Sequence, residues 1–167
     1  MKYLSGSELV GYIKVRQAKQ IRALRQAHKV FPHLAIVQTV DDPVIDTYVR
    51  LKKHYGEDIL VEVTHVMTDQ ENIAEVITKL NADKNVHAII VQLPLTDVSK
   101  TDEVLAMVAP EKDVDGLGTA HSFDPATALA INWLCAGYNI DLAKQSILIV
   151  GQGRLVGAPL TRMWRDS

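Results

Sequence analysis

Four short apolar runs, residues 34–40, 59–66, 86–92 and 146–150, alternate with stretches whose apolar side chains recur at helical spacing. This alternation constrains the fold more than any other feature of the chain. Strands separated by helices pair in parallel, and the helices then cover both faces of the sheet. The runs are almost continuously apolar, as burial on both faces requires. The pattern predicts an α/β fold built as a three-layer parallel sheet. Helices are expected over residues 7–27, from Pro43 to about Tyr55 with Gly56 as its stop, and from a Thr68-Asp69 cap to about Asn81. Two more are expected over 99–108 and 123–137. A glycine-rich turn, Gly151-Gln152-Gly153-Arg154-Leu155-Val156-Gly157, follows the fourth run and opens a last helix from about Leu155.

Open α/β sheets bind ligands beyond the carboxyl ends of their strands. The third run leads straight into Gln92, Leu93 follows, and Pro94 stops the strand, so Gln92 faces a cleft. Asp115 precedes Gly116 in a loop that returns over the same cleft. Tyr48 and Lys52 lie four residues apart on the helix after the first strand, hence on one face and at the same sheet end. A phenol beside an amine suits a site that stacks a planar ligand and moves a proton. A free lysine titrates near about 10.4 and needs desolvation or a nearby cation to work at neutral pH. Gln92 could hold that amine without fixing its charge state. A carboxylate at Asp115 could grip an aminopyrimidine through two parallel hydrogen bonds. Taken singly, each residue has a plainer and favoured explanation: an ordinary exposed helix, a strand end bonded to backbone, a turn aspartate. Asp113 is expected to be structural.

The glycine turn sits between a strand and a helix, which is the context of a phosphate-binding turn. Its spacing, G-x-G-x-x-x-G, is one residue longer than the usual dinucleotide pattern. Gly151, Gln152, Gly153, Arg154, Leu155 and Val156 are its candidate nucleotide contacts, with Arg154 offering a charge to phosphate. The six histidines show no metal-ligand spacing, and no metal is expected; His121, in the cleft loop, is the one to watch.

The hydrophobic share of 47% and charged share of 23% are those of a soluble globular protein. A net charge of -2 gives no reason to expect nucleic acid or an anionic membrane as partner. The basic stretch from Lys14 to Lys29 carries Ile13, Val15, Ile21 and Leu24 at helical spacing and reads as a solvated helix face. Cys135 is the single cysteine and is expected to be a buried structural thiol in a reducing compartment. The early segment has no apolar signal region, and no run approaches the roughly 20 residues of a membrane span. The cytoplasm is the expected location.

Together these motifs resemble the bifunctional methylenetetrahydrofolate dehydrogenase/cyclohydrolase family. Asp42-Pro43, Tyr48-Val49 and Lys52 resemble its tyrosine and lysine segment. Val91-Gln92-Leu93-Pro94-Leu95 and Pro110 to Gly116 resemble its two most recognisable stretches. Pro125-Ala126-Thr127 and the turn from Val150 to Pro159 follow in the same order. The chain differs from the family pattern at Val44-Ile45, His54, Ala126, Ala128, Gln152 and Gly153, and in a shorter loop after Asp115.

The resemblance implies a folate-binding catalytic domain over residues 1–130 and the start of a Rossmann-like NAD(P)-binding domain over 131–167. It implies NADP-dependent oxidation of 5,10-methylenetetrahydrofolate to the methenyl form, and hydrolysis of that to 10-formyltetrahydrofolate. NADP is the implied cofactor, with NAD open. Tetrahydrofolate derivatives are the implied partners, and the full-length enzyme would be a homodimer. Lys52 would be the acid/base, Tyr48 would stack on the aminobenzoyl group, Gln92 would tune Lys52, and Asp115 would hold the pterin beside Leu93 and Pro94. The nucleotide domain is expected to be incomplete at Ser167, with dehydrogenase activity absent or very weak. A catalytically silent folate-binding module and a related two-domain NAD(P)-dependent dehydrogenase are the alternatives.

Overall fold

The computed structural model describes residues 3–120 and 122–165. The chain begins with α1 (Gly6–His28), then alternates β1 (His33–Gln38), α2 (Pro43–Ile59), β2 (Glu62–Met67), α3 (Ile73–Ala82) and β3 (Ala88–Val91). A short 3-10 turn (Val98–Lys100) leads into α4 (Thr101–Leu105), and α5 (Ala126–Gly137) and α6 (Gly157–Arg165) follow. The strands pair in parallel in the order β2-β1-β3, with Ala35 beside both Thr64 and Ile89. Single crossovers through α2 and α3 produce this order.

Successive residues of β1 face opposite layers. Ala35 and Val37 join Ile73, Ile77, Ile89, Val91, Val104 and Leu105 under α3 and α4. Ile36 joins Ile45, Val49 and Ile90 under α2. All three β1 residues are fully buried. Each large apolar side chain placed this way contributes roughly 1.5–3 kcal/mol. Helix α1 lies outside α2 and reaches α5 at its other end.

Several expected boundaries move, each for a local reason. Gly56 does not end α2. It sits inside the helix, where a Cβ would lie 2.4 Å from Val63 Cγ2 and 2.9 Å from the Val61 carbonyl. The missing side chain lets α2 settle onto β2, and Leu60, at φ 68°, turns the chain instead. Thr68 and Asp69 do not cap α3; a turn closed by Asn72 N on Asp69 O (3.1 Å) precedes it, and Asn72 is the cap residue. The expected fourth strand is absent: residues 146–150 pair with no strand among the described residues, and Leu148 and Val150 are 86% and 90% exposed. Strand propensity without a neighbouring edge leaves the backbone groups to water. Helix α6 begins at Gly157, two residues later than expected.

The basic face of α1 is not wholly solvated. Lys14 pairs with Asp58 and stands 5.1 Å over the Tyr55 ring, and Arg25 donates to the Leu60 carbonyl at 2.7 Å. Val15, one of the apolar residues in that stretch, is 73% exposed. Cys135 is a free thiol and only half-buried. Among the described residues, no helix is long and apolar enough to cross a membrane, and no cluster of three or more acidic, histidine or cysteine side chains could hold a metal.

Lys112 closes the end of α3. Its Nζ donates to the carbonyls of Leu80, Asn81 and Asp83 at 2.9, 2.8 and 2.7 Å. These are the carbonyls that a helix leaves unpaired at its carboxyl end. Asn81 ties the same corner to Met107 O and Ala109 N. Lys112→Met keeps the stem and removes the three donors. It should lower stability by about 1–3 kcal/mol, read as a lower urea midpoint with an unchanged m-value.

Candidate functional site

Lys52 lies in the third turn of α2, and Gln92 is the first residue after β3. Its backbone N donates to Val37 O at 2.8 Å, so β1 fixes the height at which Gln92 leaves the sheet. The Lys52 Nζ donates to Gln92 Oε1 at 2.7 Å. The Gln92 amide nitrogen donates to Leu93 O at 3.2 Å, which leaves the oxygen turned to the lysine. Two residues 40 positions apart thus meet through side chains.

Asp115 reaches the same place from the loop after α4. Lys112 O accepts from Ile89 N at 2.7 Å, and Asp113 stands beside Ile89 in parallel pairing, so β3 holds the base of this loop. Asp113 is buried and accepts from Gly118 N at 2.8 Å, the structural role expected of it. Gly116, at φ +64°, packs so closely that a Cβ would lie 2.2 Å from Phe123 O. The loop is therefore clamped on both sides of Asp115.

The charges bear on each other. Burial pulls the Lys52 amine below the ordinary lysine value, and the Asp115 carboxylate pulls part of the way back. Burial pushes the Asp115 carboxyl up; Lys52 opposes that shift and Asp113 adds to it. Tyr48 is 57% exposed. With Lys52 it lines an apolar recess of about 370 Å³ that continues past Leu51, Tyr55, Val63 and Ile90. A planar group lying there would meet side chains of both Tyr48 and Lys52. Leu93 is half-buried and Pro94 exposed, with the peptide between them cis.

The glycine turn lies nearby but forms a separate locus. Gly151 adopts φ +92°, and a Cβ on Gly157 would lie 2.0 Å from Gly151 O, so both positions need glycine. Arg154 pairs with Asp102 at 2.7 Å rather than standing free for phosphate. Gln152 hydrogen-bonds the Thr161 hydroxyl at 3.1 Å. Arg154 and Leu155 share a recess of about 410 Å³ with Leu93, Pro94 and Asp102, so the turn abuts the loop that follows Gln92. Gly153 leaves open space, and Val156 is half-buried. His121 lies outside the described residues.

One polar group went unpredicted. Gln38, at the end of β1, is fully buried and bonds Val40 O, Asp46 and His65. The signal was present, since Gln38 sits within an apolar strand run much as Gln92 ends one.

The fold and these residues define a parallel α/β domain with a polar cleft at the carboxyl ends of its strands. The family model described as tetrahydrofolate dehydrogenase/cyclohydrolase, catalytic domain, matches residues 4–115, and the chain belongs to this family. It is 33% identical to the bifunctional protein FolD of Amoebophilus asiaticus, over 95% of this chain and 57% of that protein. It superposes on the crystal structure of the bifunctional FolD enzyme of Campylobacter jejuni with a TM-score of 0.94 and 29% identity, covering 99% of this chain and 64% of that one. The Trypanosoma brucei enzyme, solved with NADP and an inhibitor, shares the fold at a TM-score of 0.91 and 22% identity, over 99% of this chain and 61% of that one. The chain thus spans less than two thirds of the length of each of these relatives.

The clamp on the Asp115 loop gives a direct test. Gly116→Ala forces a side chain into left-handed backbone against Phe123 O and should destabilise the fold by about 1–3 kcal/mol or more. Thermal unfolding measures this. An unchanged midpoint would mean that the loop is free to move.

Proposed function

We propose that this chain binds reduced folate in the Lys52 cleft and hydrolyses 5,10-methenyltetrahydrofolate to 10-formyltetrahydrofolate. One observation carries the proposal: an amine with its pKa drawn down by burial, held on a neutral amide and within the field of a carboxylate. That is the state a general base needs near neutral pH. Water adds to the methenyl carbon while neutral Lys52 takes its proton. The bond from that carbon to N5 then breaks. N5 takes the proton from Lys52 and the new hydroxyl gives up its own, so one proton is released overall. The cationic substrate itself favours neutral Lys52. Gln92 positions the amine without fixing its charge. Tyr48 stacks on the aminobenzoyl ring in the apolar recess. Asp115, with Leu93 and Pro94 beside it, holds the pterin.

The family pairs this step with a dehydrogenase, and we assign that step to the whole protein with NADP, or NAD, as cofactor. When bound, the nucleotide supplies the acceptor for a hydride from the methylene carbon. The side-chain-free cradle at Gly151 and Gly157, opening α6, suits a phosphate group. Gly151 to Val156 would line it, and residues 131–167 would begin the nucleotide domain after a folate domain over 1–130. In this 167-residue chain residues 146–150 pair with no strand among the described residues. The cradle is therefore unsupported, and NADP-dependent oxidation should be absent or very weak.

The decay of methenyltetrahydrofolate absorbance tests the hydrolysis. Lys52→Met should slow it by about 10²-fold or more at pH 7. Folate binding with no decay above buffer would instead favour a silent binding module. The rate should climb with pH through the Lys52 titration, below the ordinary lysine value. Asp115→Asn removes the charge that raises the amine's pKa, so the midpoint at saturating substrate should move to lower pH. The same shift affects stability: the unfolded chain holds the Lys52 proton more tightly than the folded one. Stability therefore rises with pH between the folded and unfolded Lys52 values. Lys52→Met should flatten that rise in urea titrations.

A further inference from the structure

The geometry points to Gln38 as the positioning residue of this site, through a hydrogen bond that fixes where α2 sits on the sheet. This rests on the role assigned to Lys52 above. Lys52 and Gln92 come from different elements, and their 2.7 Å contact survives only if α2 keeps one axial position over the strand ends. The layer beneath α2 is apolar: Ile45 and Val49 lie on Ile36 and Ile90. Aliphatic contact attracts without direction and tolerates small slides. A hydrogen bond does not, because its strength falls steeply with distance and angle.

Gln38 supplies that bond. It lies two residues beyond Ile36, on the same face of β1, and is 0% exposed. Its Nε2 donates to Asp46 Oδ1 at 2.9 Å, in the first turn of α2, and to Val40 O at 2.7 Å. Its Oε1 meets His65 Nε2 of β2 at 2.9 Å. An amide oxygen only accepts, so His65 is the donor. Both amide hydrogens and the oxygen are thus engaged, and the buried group has one orientation. The backbone on either side joins the same corner. Val37 O accepts from Gln92 N, and Gln38 O accepts from Thr68 N at 3.0 Å. A single strand end therefore sets the height of Gln92 through its backbone and the seat of the Lys52 helix through its side chain.

Asp46 is exposed, so its replacements should fold. Three variants of the 167-residue chain separate the outcomes: Gln38→Leu, Asp46→Ala and Asp46→Asn, the last retaining an acceptor for the Gln38 amide. The readout is the pH midpoint of Lys52 acetylation by trace acetic anhydride, followed by mass spectrometry and independent of any folate chemistry. In the parent the midpoint should fall below that of exposed lysines. Asp46→Ala and Gln38→Leu should raise it by at least about half a unit, as the amine leaves Gln92 for water, and should slow methenyl hydrolysis several-fold. Asp46→Asn should restore the parent midpoint. The direction is diagnostic, because deleting a negative charge alone would lower a lysine's midpoint. An unmoved midpoint in folded Asp46→Ala overturns the proposal, and this variant decides if Gln38→Leu does not fold. If the midpoints move but the parent hydrolyses nothing, the positioning role stands and the hydrolytic assignment fails.

Discussion

The Lys52–Gln92 hydrogen bond is the interaction around which the site is built. It costs burial of an amine, and burial of a charged group is tolerated only when partners replace water. Gln92 supplies one partner and Asp115 supplies a field. A carboxylate in direct contact would have favoured the charged lysine more strongly. A neutral amide in contact, with the carboxylate further away, leaves the two protonation states closer in energy. Burial and Asp115 push the amine in opposite directions, and burial is the larger effect.

Everything around that bond serves to keep three chain segments at one level. The parallel register of β1 with β3 places Gln92 one step beyond Val37. Gly56 lets α2 lie against Val63 at its far end. The Asp113–Gly118 bond and the Gly116 turn hold the Asp115 loop over the strand ends. Gly56, Asp113 and Gly116 form no bond to Lys52 or Gln92, yet each removes a direction in which the site could loosen. Small errors of position are costly to a proton transfer, which needs heavy atoms within about 3 Å of one another.

Periodicity made the layers legible before any coordinates. The three paired runs contain strands, and the helices between them form, because a doubly buried strand and an amphipathic helix leave different spacings in the chain. Boundaries were less legible. Gly56 has the composition of a helix stop, but its role is close packing, and only the neighbouring Val63 reveals that. Residues 146–150 have the composition of a strand, but a strand is a pairing, and composition does not supply the partner. Lys52 and Gln92 were each ambiguous alone; the sheet-end argument brought them to one cleft, and the structure adds the direct 2.7 Å contact between them. Gln38 escaped notice although its signature matches that of Gln92: a lone amide in a run otherwise suited to burial. The two glutamines differ only in what faces them, a helix turn for one and a cleft for the other.

The glycine turn shows the same dependence on context. Its two special positions are set by backbone geometry, at Gly151 and by the near contact of Gly157 with Gly151 O, and both were readable as glycines. Arg154 was not. A cation in a phosphate turn is expected to face the anion, yet here it closes on Asp102, beside Leu93 and Pro94. An anion reaching the turn would compete with Asp102 for the guanidinium, and the pair is weak enough to exchange because the Asp102 side chain is 85% exposed. Asp102 opens α4, and the loop after α4 carries Asp113 and Asp115, so this ion pair ties the glycine turn to the element that leads into the Asp115 loop. The Leu93-Pro94 segment follows Gln92 directly and lines the recess at the glycine turn, so one short segment joins the residue that holds Lys52 to the wall of that recess.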